Sequence, residues 1–222
     1  DEEVDATHSL YVEQWDWEKV IDKSDRTTEY LKDTVRSIYK SIRQTSIIMK
    51  QKYHFLTLDL PKTIYFITSQ ELEDLYPDKT PKMREQLITK DKKAVFIIGI
   101  GDKLKSGISH DLRSPDYDDW SMDGDLMIWD KFLDKAVELS SMGIRVDEKS
   151  LLSQLEKSGT MDRLCLPYHQ KIVKKEIPYT IGGGIGQSRI CMLILEKTHI
   201  VEVQQSSWQT KTEKELEGYK FL

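Results

Sequence analysis

Carboxylate side chains are concentrated in residues 110–125, where the sequence reads HDLRSPDYDDWSMDGD. Carboxylates this close repel one another unless a cation lies among them. Three cations meet that need: a metal ion, an ammonium group of a substrate, or the guanidinium of Arg113. A calcium-binding loop is one alternative, although the spacing does not follow the EF-hand pattern. A solvent-exposed acidic run without chemistry is the other alternative.

A second candidate is the glycine run of residues 182–184, which continues with Gly186 and the residues QSR. Glycines lack a Cβ atom, so another molecule can approach their backbone closely. The apolar residues 190–195 follow and predict a buried helix with Arg189 in its first turn. Free amides at a helix start and a guanidinium bind phosphate or carboxylate together. The run matches neither a P-loop nor GxGxxG, and the alternative is a structural turn leading into a core helix.

Residues 8–17, HSLYVEQWDW, alternate in a way that predicts a strand. Glu13 and Trp15 would share one face of it, and Gln14 and Asp16 would share the other. Aromatic, amide and carboxylate groups occur together in small-ligand pockets, which makes this segment a candidate binding element. The alternative is a half-buried strand with a solvated polar face.

The scaffold that must position these groups begins with a long helix. Apolar residues recur at helical spacing after Thr27 and predict a helix that ends near Lys50. Strands are predicted over residues 63–68 and 94–100, and the second is continuously apolar, which is typical of a buried strand. A helix start is predicted at residues 69–72.

Two further helices and a surface tail are predicted in the scaffold. The first covers residues 82–90 with its apolar side chains facing inward, namely Met83, Leu87 and Ile88. The second covers residues 161–175 with three inward side chains, Leu164, Tyr168 and Ile172. Beyond His199 the sequence predicts surface structure without chemistry.

Residues 125–147 predict two strands joined by a turn at residues 130–135. Asp125 would stand at the start of the first strand and Glu138 within the second. Paired strands can bring two carboxylates to one cleft, as Mg²⁺ bound to nucleotide phosphates requires. Asp147 then predicts the cap of a helix that ends at Gly159.

Composition limits the function classes. The 222 residues are 38% hydrophobic and 32% charged, which is typical of one globular domain spanning residues 1–222. The net charge of -5 argues against a nucleic-acid partner, and no apolar run reaches the ~20 residues of a membrane span. Cys165 and Cys191 lack metal-site spacing, so we expect reduced core thiols in a cytoplasmic protein. The first residue is Asp1 and not methionine, so we expect further residues upstream.

Four blocks resemble, in order, those of ammonia-dependent asparagine synthetases, also called aspartate ammonia ligases, which are relatives of the class II aminoacyl-tRNA synthetases. Residues 8–18 are similar to HSxYVDQWDWE, with Glu13 in place of aspartate, and residues 110–120 are similar to HDxRAPDYDDW, with Ser114 in place of alanine. The other two blocks that resemble the family read ELSSMGIRVD and TIGGGIGQSR. The resemblance runs from His8 to about Trp208. It implies an α+β fold with a central antiparallel sheet flanked by helices.

The resemblance also implies a reaction and a set of roles. L-Aspartate and ammonia would be joined with ATP through a β-aspartyl-AMP intermediate, yielding L-asparagine, AMP and pyrophosphate. The implied catalytic residues are Arg189, Asp118 and Gln14. The implied substrate-binding residues are Asp16, Asp118, Asp125, Gly183 and Arg189. The implied ATP-binding residues are Gln14, Trp15, Glu138, Ser141, Gly184, Gly186 and Arg189, with Mg²⁺ held by Glu138 and Asp125.

The sequence departs from the family pattern in two places. A longer loop separates the DDWS block from the GD dipeptide in the family, whereas here only Met122 and Asp123 intervene. The family also has an N-terminal portion with the first signature, which builds a homodimer, and an arginine that holds the ATP α-phosphate. Either both lie upstream of Asp1 or the polypeptide is incomplete, and we expect an incomplete one to catalyse adenylation poorly. Two alternatives stay open, a synthetase core that charges tRNA with aspartate or asparagine, and a non-catalytic nucleotide-binding module.

Overall fold

One sheet and the helices on its two faces organise the chain in the computed structural model, which describes residues 4–206 and 216–220. The predicted end of the resemblance at Trp208 lies outside the described residues. The strands are β1 (Gln14–Val20), β2 (Tyr65–Thr68), β3 (Ala94–Ile98), β4 (Asp118–Asp130), β5 (Lys135–Arg145) and β6 (Thr180–Gly186). The helices are α1 (Thr28–Lys52), α2 (Ser69–Leu75), α3 (Pro81–Lys92), α4 (Glu148–Ser158), α5 (Pro167–Val173) and α6 (Gln187–Leu195).

The sheet has the strand order β1-β6-β5-β4-β3-β2. Neighbouring strands are antiparallel except β2 and β3, which are parallel. Helices α2 and α3 make the crossover between these two strands, because a parallel pair cannot be closed by a tight turn. The α+β architecture with flanking helices is therefore confirmed, and the single parallel pair makes the sheet mixed.

The two faces of the sheet are covered differently. Long helix α1 and helix α6 pack on one face, where Leu31, Val35 and Leu193 meet strand residues such as Phe96 and Ile144. Full burial of each such side chain contributes about 1.5–3 kcal/mol. Helices α2 and α3 cover the β2–β3 half of the opposite face through a smaller cluster. The remaining half of that face, formed by β5, β6 and β1, borders a cavity.

Local signals set several helix ends as predicted. The Thr27 side chain accepts a hydrogen bond from the Tyr30 amide at the start of α1. Asp147 accepts from two amides of α4, and Gly159 ends that helix in the left-handed region, with φ 70. Helix α2 also begins at Ser69, although its cap is the preceding Thr68. Within the described residues, no helix combines the length and apolar character that a membrane crossing needs.

The structure corrects two predicted strand boundaries. The first strand begins at Gln14 and not at His8, because Leu10, Tyr11 and Val12 have no buried face and are 62%, 59% and 71% exposed. Strand β4 begins at Asp118, so Asp125 lies inside it. Met122 and Asp123, which separate the DDWS block from the GD dipeptide, are part of this strand, and its register is irregular between Asp118 and Asp123.

Burial was predicted wrongly at two helices. In α3 the side chain of Ile88 is buried, whereas Met83 and Leu87 are exposed. The helix predicted over residues 161–175 is two elements, a 3₁₀ turn at Met161–Cys165 and α5, because Pro167 begins a new helix and lacks an N–H for the preceding turn. This break turns Tyr168 outward and buries the neighbouring residue instead.

Three expectations outside the helices also need correction. Cys165 is exposed and Cys191 half-buried, so Cys165 is not a core thiol, although both are free. The segment after His199 is not merely surface structure, because Ile200, Val201 and Gln204 are buried. The prediction of a single domain over the whole chain stays a prediction.

Candidate active site

A single row of residues crosses four strands on the cavity-facing side of the sheet. Asp16 pairs with Gly184, Gly184 with Ser141, and Ser141 with Asp125. Directly opposed residues of antiparallel strands project to the same face. The fold therefore brings together groups from three of the four sequence blocks, which lie up to 168 residues apart between Asp16 and Gly184.

The glycines of this sheet make room for acidic side chains. A Cβ atom at Gly184 would lie 2.9 Å from Asp16 Oδ1 and 3.3 Å from the Gln14 carboxamide. At Gly143 a Cβ atom would lie 2.8 Å from the carboxyl carbon of Asp118. The distances of 2.9 and 2.8 Å are shorter than real Cβ contacts, and the distance of 3.3 Å is unusually tight. The glycine run forms strand β6 and leads directly into α6, and the side chains of Gln14 and Asp16 lie close over it.

A cavity of about 830 Å³ opens on this side of the sheet. It is lined by nine of the predicted site residues, namely Gln14, Asp16, Asp118, Glu138, Ser141, Gly183, Gly184, Gly186 and Arg189. Arg113, Tyr117 and Arg145 also line it. The volume fits a nucleotide or an amino-acid adenylate, since small-molecule pockets measure roughly 300–1,000 Å³.

Two predicted residues do not line the cavity. Trp15 alternates with Gln14 and Asp16 along β1, so its side chain projects to the opposite face, where it is 52% exposed. Trp15 is therefore not among the residues that line the cavity. Asp125 is buried beneath Arg113, which does line the cavity, so this carboxylate lies one side chain behind the wall.

Arg113, Asp125 and Glu138 form a charged cluster between β4 and β5. The Arg113 guanidinium donates to Asp125, and its Nε lies 3.9 Å from the Asp123 carboxylate. Burial raises the pKa of Asp125, the charge of Glu138 raises it further, and Arg113 only partly opposes the shift. Burial lowers the pKa of Arg113, but Asp125 and Asp123 outweigh it and raise that pKa. Arg113 is therefore one of the cations that the sequence predicted for the acidic block.

Arg145 is the second cation of the block and was not singled out from the sequence. Its guanidinium donates to Asp118, to Glu18 at 2.8 Å and to the Tyr117 hydroxyl at 2.9 Å, and it lies 3.9 Å from the centre of the Tyr117 ring. Burial raises the pKa of Asp118, and Arg145 opposes that shift. Its position in the ELSSMGIRVD block was the one sequence feature that could have marked Arg145 as a site residue. The residues that it contacts lie on other elements.

The rest of the acidic block serves the scaffold. Asp119 accepts from Arg26 at 3.0 Å, and Asp116 contacts His169 at 2.9 Å and Arg163 at 3.1 Å. Because Asp118, Asp119, Asp123 and Asp125 are all buried, the reading of this block as a solvent-exposed acidic run is wrong.

Arg189 is the third residue of α6, as predicted, and its guanidinium is half-buried at the cavity wall. Nη1 donates to the Glu138 carbonyl at 3.0 Å, and Nη2 lies 2.8 Å from His8 Nε2. Among the described residues, no carboxylate lies within 4.0 Å of this guanidinium. The positive charge of Arg189 therefore lies at the cavity wall, and no carboxylate of the described residues neutralises it.

Two carboxylates of this cluster, Glu138 and Asp125, are the groups that could hold a Mg²⁺ ion. No group of three or more histidine, cysteine, aspartate or glutamate side chains in the described part of the chain is arranged to hold a metal. Mg²⁺ keeps several waters and uses one or two carboxylates with substrate phosphates, and Glu138 and Asp125 supply two carboxylates close enough to interact electrostatically.

A predominantly antiparallel sheet, with a glycine strand entering a helix that carries an arginine in its first turn, is the catalytic-domain fold of the class II synthetases. Aspartyl-tRNA synthetase from Entamoeba histolytica aligns with a TM-score of 0.60 and 17% identity over 91% of this chain and 44% of its own. Asparaginyl-tRNA synthetase from Pyrococcus horikoshii, complexed with asparaginyl-adenylate, aligns with a TM-score of 0.60 and 15% identity. The alignment covers 90% of this chain and 48% of that one. These likenesses establish the fold alone.

The particular family follows from sequence. The aspartate-ammonia ligase family profile matches residues 1–220, and the chain belongs to this family. Aspartate–ammonia ligases from Clostridium tetani and Clostridium perfringens are 57% and 59% identical over 208 residues, which is 94% of this chain. The chain spans 61% and 62% of the lengths of these two relatives.

Proposed function

We propose that the protein is an ATP-dependent ligase that makes L-asparagine from L-aspartate and ammonia. The observation that carries the proposal is the distribution of charge along strand β6 and its neighbours. At the Gly186 end stands Arg189, which no described carboxylate neutralises. At the Gly182 end, the Arg145 guanidinium donates hydrogen bonds to the carboxylates of Glu18 and Asp118. The two ends are four residues apart, or roughly 13 Å along an extended strand.

This spacing suits the two halves of an aspartyl adenylate. Arg189 and the N-terminal end of α6 favour the nucleotide phosphates, because a guanidinium and a helix N-terminus both attract anions. The acidic end favours the substrate's amino group and ammonium, which are both cations. Holding the carboxylate and the α-phosphate in one cavity removes much of the entropic barrier to their reaction.

The proposed reaction has two steps. A β-carboxylate oxygen of aspartate attacks the α-phosphorus of ATP, and the bond to pyrophosphate breaks. Ammonia then attacks the acyl carbon of β-aspartyl-AMP, loses a proton, and AMP leaves as its phosphate oxygen takes the electron pair. Arg189 stabilises the phosphate charge that develops in the first step. Gln14 and Asp16, which lie over Gly184, orient the substrate between the two ends.

Glu138 and Asp125 would hold Mg²⁺ on the nucleotide side of the cluster. When bound, Mg²⁺ neutralises phosphate charge and lowers the barrier to attack at phosphorus. Asp125 must lose its proton and loosen its bond to Arg113 for this role. Glu138 lines the cavity directly and is the more accessible of the two carboxylates.

We extend the proposal to a cytoplasmic homodimer. Two free cysteines are consistent with a reducing compartment. The dimer rests on the family resemblance, and sedimentation at several concentrations tests it. A nucleic-acid partner is not proposed, since the net charge is -5.

Isotope transfer tests the chemistry. The full-length protein is incubated with ATP, ammonium and aspartate that carries ¹⁸O in its β-carboxylate. Passage through β-aspartyl-AMP transfers one ¹⁸O to AMP and yields pyrophosphate without label. Label in inorganic phosphate with formation of ADP would show an acyl phosphate instead. Absence of any aspartate-dependent ATP cleavage would reject the ligase function.

A further inference from the structure

Residues 7–13, called here the strap, run along the cavity beside β1, and all seven line it. Their apolar side chains do little to hold them, because Leu10, Tyr11 and Val12 are 62%, 59% and 71% exposed. The position of the strap therefore depends mainly on polar contacts. At its two ends, the Ile200 amide donates to the Ala6 carbonyl at 2.8 Å, and the Gln187 amide donates to the Glu13 carbonyl at 3.1 Å.

The middle of the strap is held by Gln204. This side chain is only 2% exposed, and both ends of its carboxamide are used. Its Oε1 accepts a hydrogen bond from the Ser9 hydroxyl, and its Nε2 donates to the Tyr11 carbonyl at 2.8 Å. One buried carboxamide thus fixes two points of the strap that are two residues apart.

The strap in turn contacts Arg189. His8, next to Ser9, has its Nε2 2.8 Å from Arg189 Nη2 and its Nδ1 2.7 Å from Asp5 Oδ1. A guanidinium can only donate, so Nε2 accepts and the proton of the neutral ring lies on Nδ1, directed at Asp5. The position of His8 therefore affects where the Arg189 guanidinium lies.

We propose that Gln204 is a positioning residue for the nucleotide end of the cavity. It holds the Ser9–Tyr11 turn, and through His8 it sets the orientation of Arg189 before the nucleotide binds. The proposal rests on the proposed function, in which Arg189 binds the ATP phosphates. It predicts that Gln204 affects nucleotide affinity and leaves aspartate affinity nearly unchanged.

A second buried glutamine provides the matched control. Gln154 is 5% exposed, its Nε2 donates to the carbonyls of Pro115 and Asp118 at 2.9 Å each, and its Oε1 accepts from the Trp120 amide at 2.9 Å. It therefore holds the acidic end of the same cavity. Two substitutions of the same type, at opposite ends, should affect different substrates.

The experiment compares Gln204→Met and Gln154→Met in the full-length protein. Methionine approximates the length of glutamine and lacks hydrogen bonds, so packing is largely retained. Calorimetric titration measures the Kd of a non-hydrolysable ATP analogue and of aspartate, and steady-state assays measure each KM. For Gln204→Met we expect nucleotide Kd and KM to rise about tenfold, the effect of losing two ordinary hydrogen bonds. Its aspartate values should change less than about twofold, and Gln154→Met should show the reverse.

Amide exchange supplies a readout of the strap itself. In the wild-type protein, the nucleotide analogue should slow exchange in a peptide that covers residues 7–13, and Gln204→Met should exchange faster there without ligand. Ser9→Ala, which removes one of the two bonds, should give an intermediate nucleotide Kd. If both glutamine variants weaken both ligands equally, or if Gln204→Met leaves nucleotide affinity and strap exchange unchanged, the positioning role is rejected. If the wild-type protein binds neither ligand, the proposed function fails instead.

Discussion

Arg145 and Asp118 form a buried ion pair between directly opposed positions of β5 and β4. The pair places the guanidinium over the Tyr117 ring and against Glu18, so one arginine joins residues from three parts of the chain. Breaking a buried pair by removing one charge usually costs more than the pair contributes, because the other charge stays buried. Asp118 is therefore a sensitive position for the stability of the fold.

Asp118→Asn should weaken aspartate and ammonium binding and leave ATP binding nearly unchanged. Asparagine keeps the shape but removes the charge, and loss of a charge-assisted contact costs about 1.5–3 kcal/mol. Calorimetric titration of ATP and aspartate into both proteins measures the effect. Melting curves with and without calcium test the calcium-loop alternative, which predicts calcium-dependent stability and normal aspartate binding. Equal aspartate affinity in the two proteins would remove Asp118 from the substrate site.

Arg189→Ala should abolish asparagine formation while the protein still folds. Removal of a group that stabilises transition-state charge costs about 2.7–4 kcal/mol, or roughly 100- to 1,000-fold in rate. Arg36→Ala is the matched control, because Arg36 is a surface arginine of α1 paired with Glu29 and Asp33. More than about a tenth of the wild-type rate in Arg189→Ala, with unchanged circular dichroism, would contradict the assignment.

Gly184→Ala should impair aspartate binding more than deletion of the neighbouring Ser141 hydroxyl. The new methyl group would meet Asp16 Oδ1 at 2.9 Å and the Gln14 carboxamide at 3.3 Å, so both side chains must move. Overpacking of this kind costs about 1–3 kcal/mol. The aspartate KM of Gly184→Ala and Ser141→Ala, measured at saturating ATP, distinguishes the two. Normal kinetics in Gly184→Ala would show that the positions of Asp16 and Gln14 do not matter for substrate binding.

Magnesium-nucleotide binding should depend on pH through Asp125. Burial raises the pKa of this carboxyl from 3.8 to about 7. The folded state therefore binds the Asp125 proton more tightly than the unfolded state does. The contribution of this proton to the free energy of unfolding is lost as the pH rises towards 7. Metal binding must displace the same proton, so magnesium affinity should rise between pH 5 and 7, with proton release.

Calorimetry in two buffers of different ionisation enthalpy measures that release. Asp125→Asn should show no proton release from this position and a weaker dependence of melting temperature on pH. Identical proton release in the wild-type protein and the variant would exclude Asp125 as the linked group.

The nitrogen donor should be free ammonia and not glutamine. Neither cysteine has a nucleophile's setting, since Cys165 is an exposed thiol of a 3₁₀ turn and burial raises the pKa of Cys191, which disfavours its thiolate. Asparagine formation is measured with each donor at equal concentration, using full-length protein and glutamine freed of ammonia. Efficient use of glutamine would contradict the prediction.

Local signals in the sequence determined most of the scaffold. Thr27, Asp147 and Gly159 mark helix ends because caps and left-handed glycines act within a few residues. The apolar run of β3 is buried throughout, as its composition requires. The apolar run after the glycines also predicted α6 with Arg189 in its first turn, and residue types marked the acidic block. These features depend on neighbours along the chain, so the sequence alone determined them.

Tertiary structure decided which of these groups share a cavity. Alternation showed that Trp15 and Asp16 face opposite ways, but only the pairing of β1 with β6 showed that Asp16 faces the cavity. Arg145 and Gln204 could not be recognised from sequence, because their partners lie 27 to 195 residues away. Charge pairing and carboxamide hydrogen bonding over such separations depend on strand register and strap position, which no local pattern encodes.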